Sequence, residues 1–146
     1  MAMRIADILR SKGTTVATIT ETTTVTGLLA ELAIHNIGAM VVVGPDGGVV
    51  GIVSERDVVR TLHDHGPDLL RSAVADIMSK VLVTCSPDDQ IDDLSALMTH
   101  NRVRHVPVMQ GGRLVGIVSI GDVVKNRMEQ LQAEQEHLQA YITQGG

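Results

Sequence analysis

The feature that most constrains this chain is an internal duplication. The segment Val50–Val59 aligns with Val115–Val124, and both copies read Val-Gly-Ile-Val-Ser followed by an Asp three residues after the Ser. Three earlier blocks align in the same order, and the offset changes only between blocks, where loops tolerate insertions. Because chance identity does not produce four ordered blocks, the chain is predicted to be a tandem repeat of one supersecondary unit.

Both copies carry the same predicted order of elements. Leading helices are expected over 5–10 and 74–79, and strands over 16–19, 39–43 and 49–53 and over 82–85, 105–109 and 114–118. Between the first and second strands, apolar residues recur at helical spacing: Val25, Leu28, Leu29 and Leu32, then Ile91, Leu94, Leu97 and Met98. Ser86-Pro87-Asp88-Asp89 resembles a helix start.

The predicted fold class is therefore α/β, with two β-α-β-β-α repeats. Neither repeat is large enough to bury its sheet well alone, so the two are expected to pack about a pseudo-twofold axis. The predicted ranges are 1–65 for the first repeat, 66–73 for a linker, 74–128 for the second repeat and 129–146 for a C-terminal helical tail.

The tail keeps a weak heptad-like seam, with a Gln at one position. Its members alternate by four and three: Val124, Met128, Leu131, Gln135, Leu138 and Ile142. Such a seam fits either a tail packed on its own domain or a contact in a dimer. The dimer contact is favoured, because a polar helix needs a partner for its apolar stripe.

Composition excludes several classes of function. The net charge is −5 and Lys and Arg are scattered, which argues against a nucleic-acid partner. The apolar runs are far shorter than the ~18 residues of a membrane span. The N-terminus lacks the apolar region of a secretory signal, and the single cysteine, Cys85, suits a reducing cytoplasm. With no Phe or Trp, a bound ring would contact aliphatic side chains.

The paired Gly-Ile-Val-Ser-x-x-Asp pattern, the segment Asn101–Val108 and the element order resemble a cystathionine β-synthase-type (CBS) domain pair, or Bateman module. The resemblance covers about residues 1–128, and the whole chain is similar to stand-alone bacterial CBS pairs and their plant organellar relatives. It implies a regulatory module, not an enzyme, that binds an adenosyl ligand: AMP, ADP, ATP, S-adenosylmethionine or NAD(H). It also implies a homodimer and an unknown regulated protein.

The repeated Ser-x-x-Asp has two interpretations. Ser54 with Asp57, and Ser119 with Asp122, can each form a capping box, which is the commoner case on sequence alone. A helix N-terminus with a Ser hydroxyl also suits a phosphate, and the carboxylate can accept hydrogen bonds from ribose hydroxyls. The resemblance favours the second interpretation.

The two motifs differ in charge. Arg104 and His105 precede the second motif, with Arg102 nearby, whereas Gly38 and Ala39 occupy the matching positions of the first repeat. We therefore expect tighter binding at Ser119 and Asp122, because Arg gives charge-assisted hydrogen bonds to phosphate. The resemblance implies that the first strand of the opposite repeat lines each pocket. This places Thr18, Ile19 and Thr20 with Asp122, and Val83, Thr84 and Cys85 with Asp57. Ile117 is the last of the candidate binding residues.

Alternatives remain open. AMP is the first expected ligand and NAD(H) its main rival, because both present an adenosine phosphate to the motif. A structural dimerisation module that binds no ligand is the second hypothesis. An enzyme is least favoured, because the sequence holds no recognisable catalytic motif. No metal site is expected, since His63 and His65 lack further ligands at suitable spacing.

Overall fold

The computed structural model describes residues 3–13 and 16–145; residues 1, 2, 14, 15 and 146, which fall in the predicted first repeat and tail, lie outside the described residues. The elements in chain order are α1 (Ile5–Lys12), β1 (Thr18–Thr20), α2 (Val25–His35), β2 (Ala39–Val43), β3 (Val49–Ser54), α3 (Glu55–His65), α4 (Ile91–Asn101), β4 (His105–Gln110), β5 (Arg113–Ser119) and α5 (Ile120–Gly145). Two short 3₁₀ turns lie between α3 and α4: Pro67–Arg71 in the link between the repeats, and Val74–Asp76 at the start of the second repeat. The mixed α/β fold and the C-terminal helical extension are confirmed.

The two sheets are less alike than the repeats predict. In the first, β1 pairs parallel to β2, which pairs antiparallel to β3. In the second, β4 and β5 pair antiparallel, but the strand predicted over 82–85 does not form, and a single parallel bridge joins Cys85 to Val108. Cys85 N donates to Pro107 O over 3.0 Å, and Met109 N donates to Cys85 O over 2.8 Å. The ladder cannot extend further back because Pro107 has no N–H to donate.

Two predicted helix boundaries were also wrong. The helix expected over 74–79 shortens to the single 3₁₀ turn Val74–Asp76. The sequence Ser86–Asp89 does not start α4 but closes a turn before it, with Ser86 N donating to Asp89 Oδ2 over 2.8 Å. The helix itself begins at Ile91. Ser and Asp stabilise turns and helix starts by the same local hydrogen bonds, so the sequence signal was ambiguous.

The repeats exchange their leading segments. Ile5, Ile8 and Leu9 of α1 are buried in the core built by α4, β4 and β5 of the second repeat. In return, Val74 and Ile77 are buried in the core of the first repeat. Each hydrophobic core thus draws on both repeats, whereas the predicted ranges of 1–65 and 74–128 follow the sequence duplication alone.

The glycine of each Gly-Ile-Val-Ser pattern permits this exchange. A Cβ atom added at Gly116 would lie 2.5 Å from Leu9 Cδ2, and one added at Gly51 would lie 2.8 Å from both Met78 Sδ and the Ser79 carbonyl oxygen. Real Cβ atoms do not approach other atoms so closely. The repeated glycine therefore lets one repeat's leading segment pack closely on the other repeat, most strictly at Gly51, where the close atom is a backbone oxygen.

The helix α5 continues well beyond the second repeat. Its apolar side chains include an exposed series along its length: Ile120, Val124, Met128, Leu131, Leu138, Tyr141 and Ile142. Within the described residues, no helix combines the length and apolar character that crossing a membrane requires.

Candidate functional site

Both Ser-x-x-Asp motifs lie where a strand passes directly into a helix. At the start of α3, Ser54 N donates to Asp57 Oδ2 over 2.8 Å, and Asp57 N donates to Ser54 Oγ over 3.3 Å. At the start of α5, Ser119 N donates to Asp122 Oδ2 over 2.9 Å, and Asp122 N donates to Ser119 Oγ over 3.1 Å. Each motif therefore forms a reciprocal capping box, which also fixes the orientation of its carboxylate.

A backbone hydrogen bond from the residue after each motif serine holds the helix start in the same way in both repeats. Glu55 N donates to the Gly38 carbonyl over 3.0 Å in the first repeat, and Ile120 N donates to the Arg104 carbonyl over 2.8 Å in the second. The backbone of Arg104 thus positions α5, while its exposed side chain is free to face a ligand.

A cleft of about 1150 Å³ joins the two motifs. It is lined by the β3–α3 junction with Ser54 and Asp57, by the β5–α5 junction with Ser119 and Gly121, and by residues 79–83 and 102–105. The volume is large enough for a nucleotide or dinucleotide, since small-molecule sites span ~300–1,000 Å³.

The cleft lining is positive although the chain is acidic. Its cationic side chains are Arg56, Arg60, Lys80, Arg102 and Arg104, and its acidic side chains are Glu55 and Asp57. The whole chain has a net charge of −5. A local excess of cations in a concave site raises the local concentration of anionic ligands.

Asp57 is held by its own helix. Its side chain is 11% exposed, and its Oδ1 accepts from Arg60 Nη2 at 2.8 Å, one turn further along α3. Its Oδ2 also accepts from the Ser54 hydroxyl over 3.0 Å. The carboxylate therefore has a local set of donors within one helix turn.

Asp122 is held from the other repeat. Lys12 Nζ, at the end of α1, donates to Asp122 Oδ2 over 2.7 Å and to the Ile117 carbonyl over 2.8 Å. Burial alone raises the pKa of Asp122, but the hydrogen bonds from Lys12 and Ser119 and the positive charge of Lys12 outweigh it, so this pKa lies below its ordinary value. Asp122 itself is not among the residues that line the cleft.

His105 lines the cleft as a neutral imidazole. Burial lowers its pKa below the ordinary value, and the positive charge of Lys12 lowers it further. At neutral pH the ring therefore offers one donor and one acceptor nitrogen and no positive charge. The cationic side chains of the cleft come from Arg and Lys.

Comparison of the chain with known protein families and solved structures agrees with this architecture. The family model described as "CBS domain" matches the chain twice, at residues 5–64 and 74–129. The chain belongs to the CBS-domain family. CBS pairs are generally regulatory modules without catalytic activity, and no catalytic family is indicated.

Relatives of this CBS pair occur in plants and bacteria. The CBS domain-containing protein CBSX3, mitochondrial, of Arabidopsis thaliana is 37% identical over 150 residues, covering 97% of this chain and 72% of its own. The crystal structure of ATU1752 from Agrobacterium tumefaciens superimposes with a TM-score of 0.82 at 42% identity, covering 87% and 95% of the two chains. The CBS pair of MJ0100, in complex with 5′-methylthioadenosine and S-adenosyl-L-methionine, shares the fold with a TM-score of 0.79 at 23% identity, covering 89% and 99%.

Several residues named from the sequence line the cleft of this CBS pair. They are Ser54, Asp57, Val83, Arg104, His105 and Ser119. Val83 joins Asp57 at the cleft, and Thr84 is exposed next to it in the chain without being part of the lining.

Other named residues lie elsewhere. Ile19 is buried in the core of the first repeat, and Thr18 and Thr20 flank it on β1, where the Thr20 hydroxyl is 2.9 Å from that of Thr23. Ala39 is buried on β2, and the Ile117 carbonyl accepts from Lys12, which also binds Asp122. None of these residues is among those that line the cleft.

Cys85 is an interior thiol. Its Sγ donates to the Pro107 carbonyl over 3.6 Å, and burial, with the negative charge of Asp89, raises its pKa to about 12. A thiol with so high a pKa is not a nucleophile at neutral pH. Within residues 3–13 and 16–145, no three His, Cys, Asp or Glu side chains are grouped as metal ligands.

The sequence analysis did not name four basic residues of this region as candidates. Lys12 binds Asp122, Arg60 binds Asp57, and Arg56 and Lys80 line the cleft. A signal for two of them was present, because each leading segment ends in the dipeptide Ser-Lys, at Ser11-Lys12 and Ser79-Lys80. Repetition of a polar pair at the end of both leading segments indicates a role that both repeats share.

Proposed function

We propose that this CBS pair is a sensor that binds a phosphate-bearing adenosyl ligand in the cleft between its repeats and transmits binding to a regulated protein. The observation that carries the proposal is the meeting of both Ser-x-x-Asp motifs at one positively lined cleft. AMP is the first expected ligand, followed by ADP and ATP. Of the residues that the sequence named, those that line the cleft are proposed to bind the ligand: Ser54, Asp57 and Val83 on one side, and Ser119, Arg104 and His105 on the other. Asp122, which Ser119 and Lys12 hold beside the second motif, is proposed to join them. The other named residues, Thr18, Ile19, Thr20, Ala39, Thr84, Cys85 and Ile117, lie outside the lining of this cleft.

The chemistry of the proposed site follows from its parts. The Gly121 N–H and the Ser119 hydroxyl, at the start of α5, are proposed to donate to a phosphate, with Arg104 as a charge-assisted donor. Asp57 and Asp122 supply carboxylate acceptors for ribose hydroxyls. Val81 and Val83 provide aliphatic contacts for an adenine ring in a chain that has no Phe or Trp. The MJ0100 complex, which has the same fold, supports an adenosyl ligand in general.

NAD(H) is the alternative ligand. The cleft is continuous from Ser54 to Ser119, so a dinucleotide can place one nucleotide at each motif with its pyrophosphate between them. Arg102 and Lys80 would then face the pyrophosphate charges. Whichever ligand binds, tighter binding is proposed at Ser119 and Asp122, near Arg102 and Arg104.

A homodimer is proposed as well. The exposed stripe of α5, including Leu131 and Leu138, is the surface proposed to contact a second copy. The rival function, a structural dimerisation module without a ligand, is favoured by one observation, since both Ser-x-x-Asp motifs are fully accounted for as capping boxes.

Titration calorimetry with AMP, ATP, NADH and S-adenosylmethionine separates these two functions. Asp122→Ala and Asp57→Ala should each weaken AMP binding about tenfold or more, as expected for loss of a hydrogen bond to a charged group. The larger loss is expected for Asp122→Ala.

The matched control is Asp76→Ala. Asp76 also accepts a capping hydrogen bond, from Ala73 N over 3.2 Å, but lies outside the cleft. The Asp76→Ala variant should lose this capping hydrogen bond and keep the wild-type affinity for AMP. If none of the four compounds gives a heat of binding or a thermal shift, the structural dimerisation module without a ligand is the remaining function.

A further inference from the structure

Lys12 connects the first repeat to the second motif in a way that the first motif lacks. Its ammonium group bridges Asp122 Oδ2 at 2.7 Å and the Ile117 carbonyl at 2.8 Å. In the first motif the cation on Asp57 is Arg60 of the same helix. Lys80, which ends the other leading segment, makes no ion pair with Asp57 among the described residues. The two carboxylates are therefore held by unrelated cations.

The backbone of Lys12 is firmly placed. At the other end of α1, Ile5 N and Ala6 N donate to the carbonyls of Asp89 and Pro87, each over 2.9 Å. In the middle of the helix, Leu9 lies against Gly116 of β5. Because α1 is anchored along its length on the second repeat, the Lys12 ammonium can leave Asp122 only by rotation of its own side chain.

We infer that Lys12 determines the selectivity of the second motif for phosphate-bearing over neutral adenosyl ligands. The inference rests on the proposed function and specifies the ligand class at Asp122. A ribose diol that binds both oxygens of the Asp122 carboxylate competes with the ammonium for Oδ2, the oxygen that Lys12 contacts. A phosphate at the start of α5 would give the displaced ammonium a new anionic partner, because Lys12 already contacts the Ile117 carbonyl just before that helix. A neutral nucleoside gives it none, so its binding carries the cost of breaking the ion pair.

Adenosine and AMP are the probes, and their dissociation constants are measured by calorimetry on the full chain. In Lys12→Met, adenosine should bind about three- to fivefold more tightly than in the wild type, the range expected for removing a partly exposed ion pair. AMP should bind more weakly, so the preference for AMP over adenosine falls by about tenfold or more. Lys12→Arg keeps the cation and should restore most of that preference.

Arg10→Met is the matched control, because it removes another cation of α1, one that pairs with Asp7 and lies outside the lining of the cleft. It should leave adenosine affinity unchanged. Adenosine affinity that is unchanged or weaker in Lys12→Met, or equally improved in Arg10→Met, overturns the role of Lys12 while leaving nucleotide binding intact. Binding of neither probe to the wild type or any variant instead rejects the proposed function, and the selectivity role with it.

Discussion

At the scale of single residues, Asp57 and Asp122 show how one motif can acquire two electrostatic environments. Both accept the same capping hydrogen bond from a serine N–H. Asp57 adds an arginine from its own helix, whereas Asp122 adds a lysine from a segment 110 residues away in sequence. The sequence predicted a difference in charge between the motifs from Arg102 and Arg104, but the direct partners of the carboxylates are other residues.

The pKa of Asp122 gives a pH-dependent prediction for stability. Because the folded-state pKa is depressed, the ionised carboxylate stabilises the fold above the ordinary carboxyl pKa of ~3.9, and this contribution is lost as pH falls through the folded-state value. Asp122→Asn should therefore be less stable than the wild type at pH 7. The difference should shrink as the solution is acidified below the ordinary carboxyl pKa.

Urea unfolding from pH 7 down to about pH 2 measures this difference. The control is Asp64→Asn, on the exposed C-terminal end of α3, where the structure shows no hydrogen bond to the carboxylate among the described residues. Its stability difference from the wild type should be small throughout. A constant difference for Asp122→Asn over the whole range would contradict the stabilising ion pair.

At the scale of elements, the exchange of leading segments makes the two repeats interdependent. The helix α1 fills the core beside β5, and the segment at Met78 and Ser79 packs on β3. Ser79 also exchanges two backbone hydrogen bonds of 2.9 Å with Ile52. A substitution at Gly51 or Gly116 should therefore disturb the packing of the leading segment that comes from the other repeat.

Gly116→Ala and Leu9→Ala test this packing as a double-mutant cycle. Gly116→Ala should cost about 1–3 kcal/mol by overpacking against Leu9, and Leu9→Ala about 2–5 kcal/mol by leaving a cavity. The double variant should be less destabilised than the sum, by about 1 kcal/mol, because the new methyl group occupies space that Leu9 has vacated. Urea unfolding gives the three values.

Gly51 and Met78 provide the contrasting pair. A Cβ at Gly51 also meets the Ser79 carbonyl oxygen at 2.8 Å, and truncating Met78 cannot relieve a backbone contact. Gly51→Ala should therefore remain destabilising in a Met78→Ala background, with little recovery. For the cycle of Gly116→Ala and Leu9→Ala, losses of unfolding free energy that simply add would indicate that α1 does not pack closely on β5.

At the scale of the whole molecule, the long helix α5 exposes a stripe that its own chain does not cover. Leu138 and Ile142 are 58% and 62% exposed, well above the exposure of side chains packed in a core. The two hydrophobic cores are complete without residues beyond Val123. The heptad-like spacing predicted that this stripe contacts a second copy, and that contact stays a prediction.

Charge placed in the stripe tests the dimer. Leu131→Glu with Leu138→Glu should convert the dimer to a monomer, because burying these carboxylates in an apolar seam is strongly unfavourable. Ala133→Glu with Ala140→Glu adds the same charge at the same spacing on the opposite face and should leave the dimer intact. Sedimentation velocity measures the mass of each. A wild-type monomer, or equal dissociation of both double variants, would reject the tail as the contact.

The sequence by itself determined the duplication, the order of most elements, the capping motifs and the family. These follow from local patterns that both copies repeat, such as the apolar spacing of α2 and α4 and the Ser-x-x-Asp at each helix start. The strand wrongly predicted over 82–85 is different, because its loss depends on pairing with Pro107 of another strand.

Only the tertiary structure decided which segments meet. The burial of α1 in the second repeat, the close approach to Gly51 and Gly116 and the contact of Lys12 with Asp122 join residues far apart in the chain. A local pattern fixes which face of an element is apolar, but either of the two similar cores could bury either leading segment. Which core buries which segment depends on packing over the whole molecule, so a short stretch of sequence does not determine it.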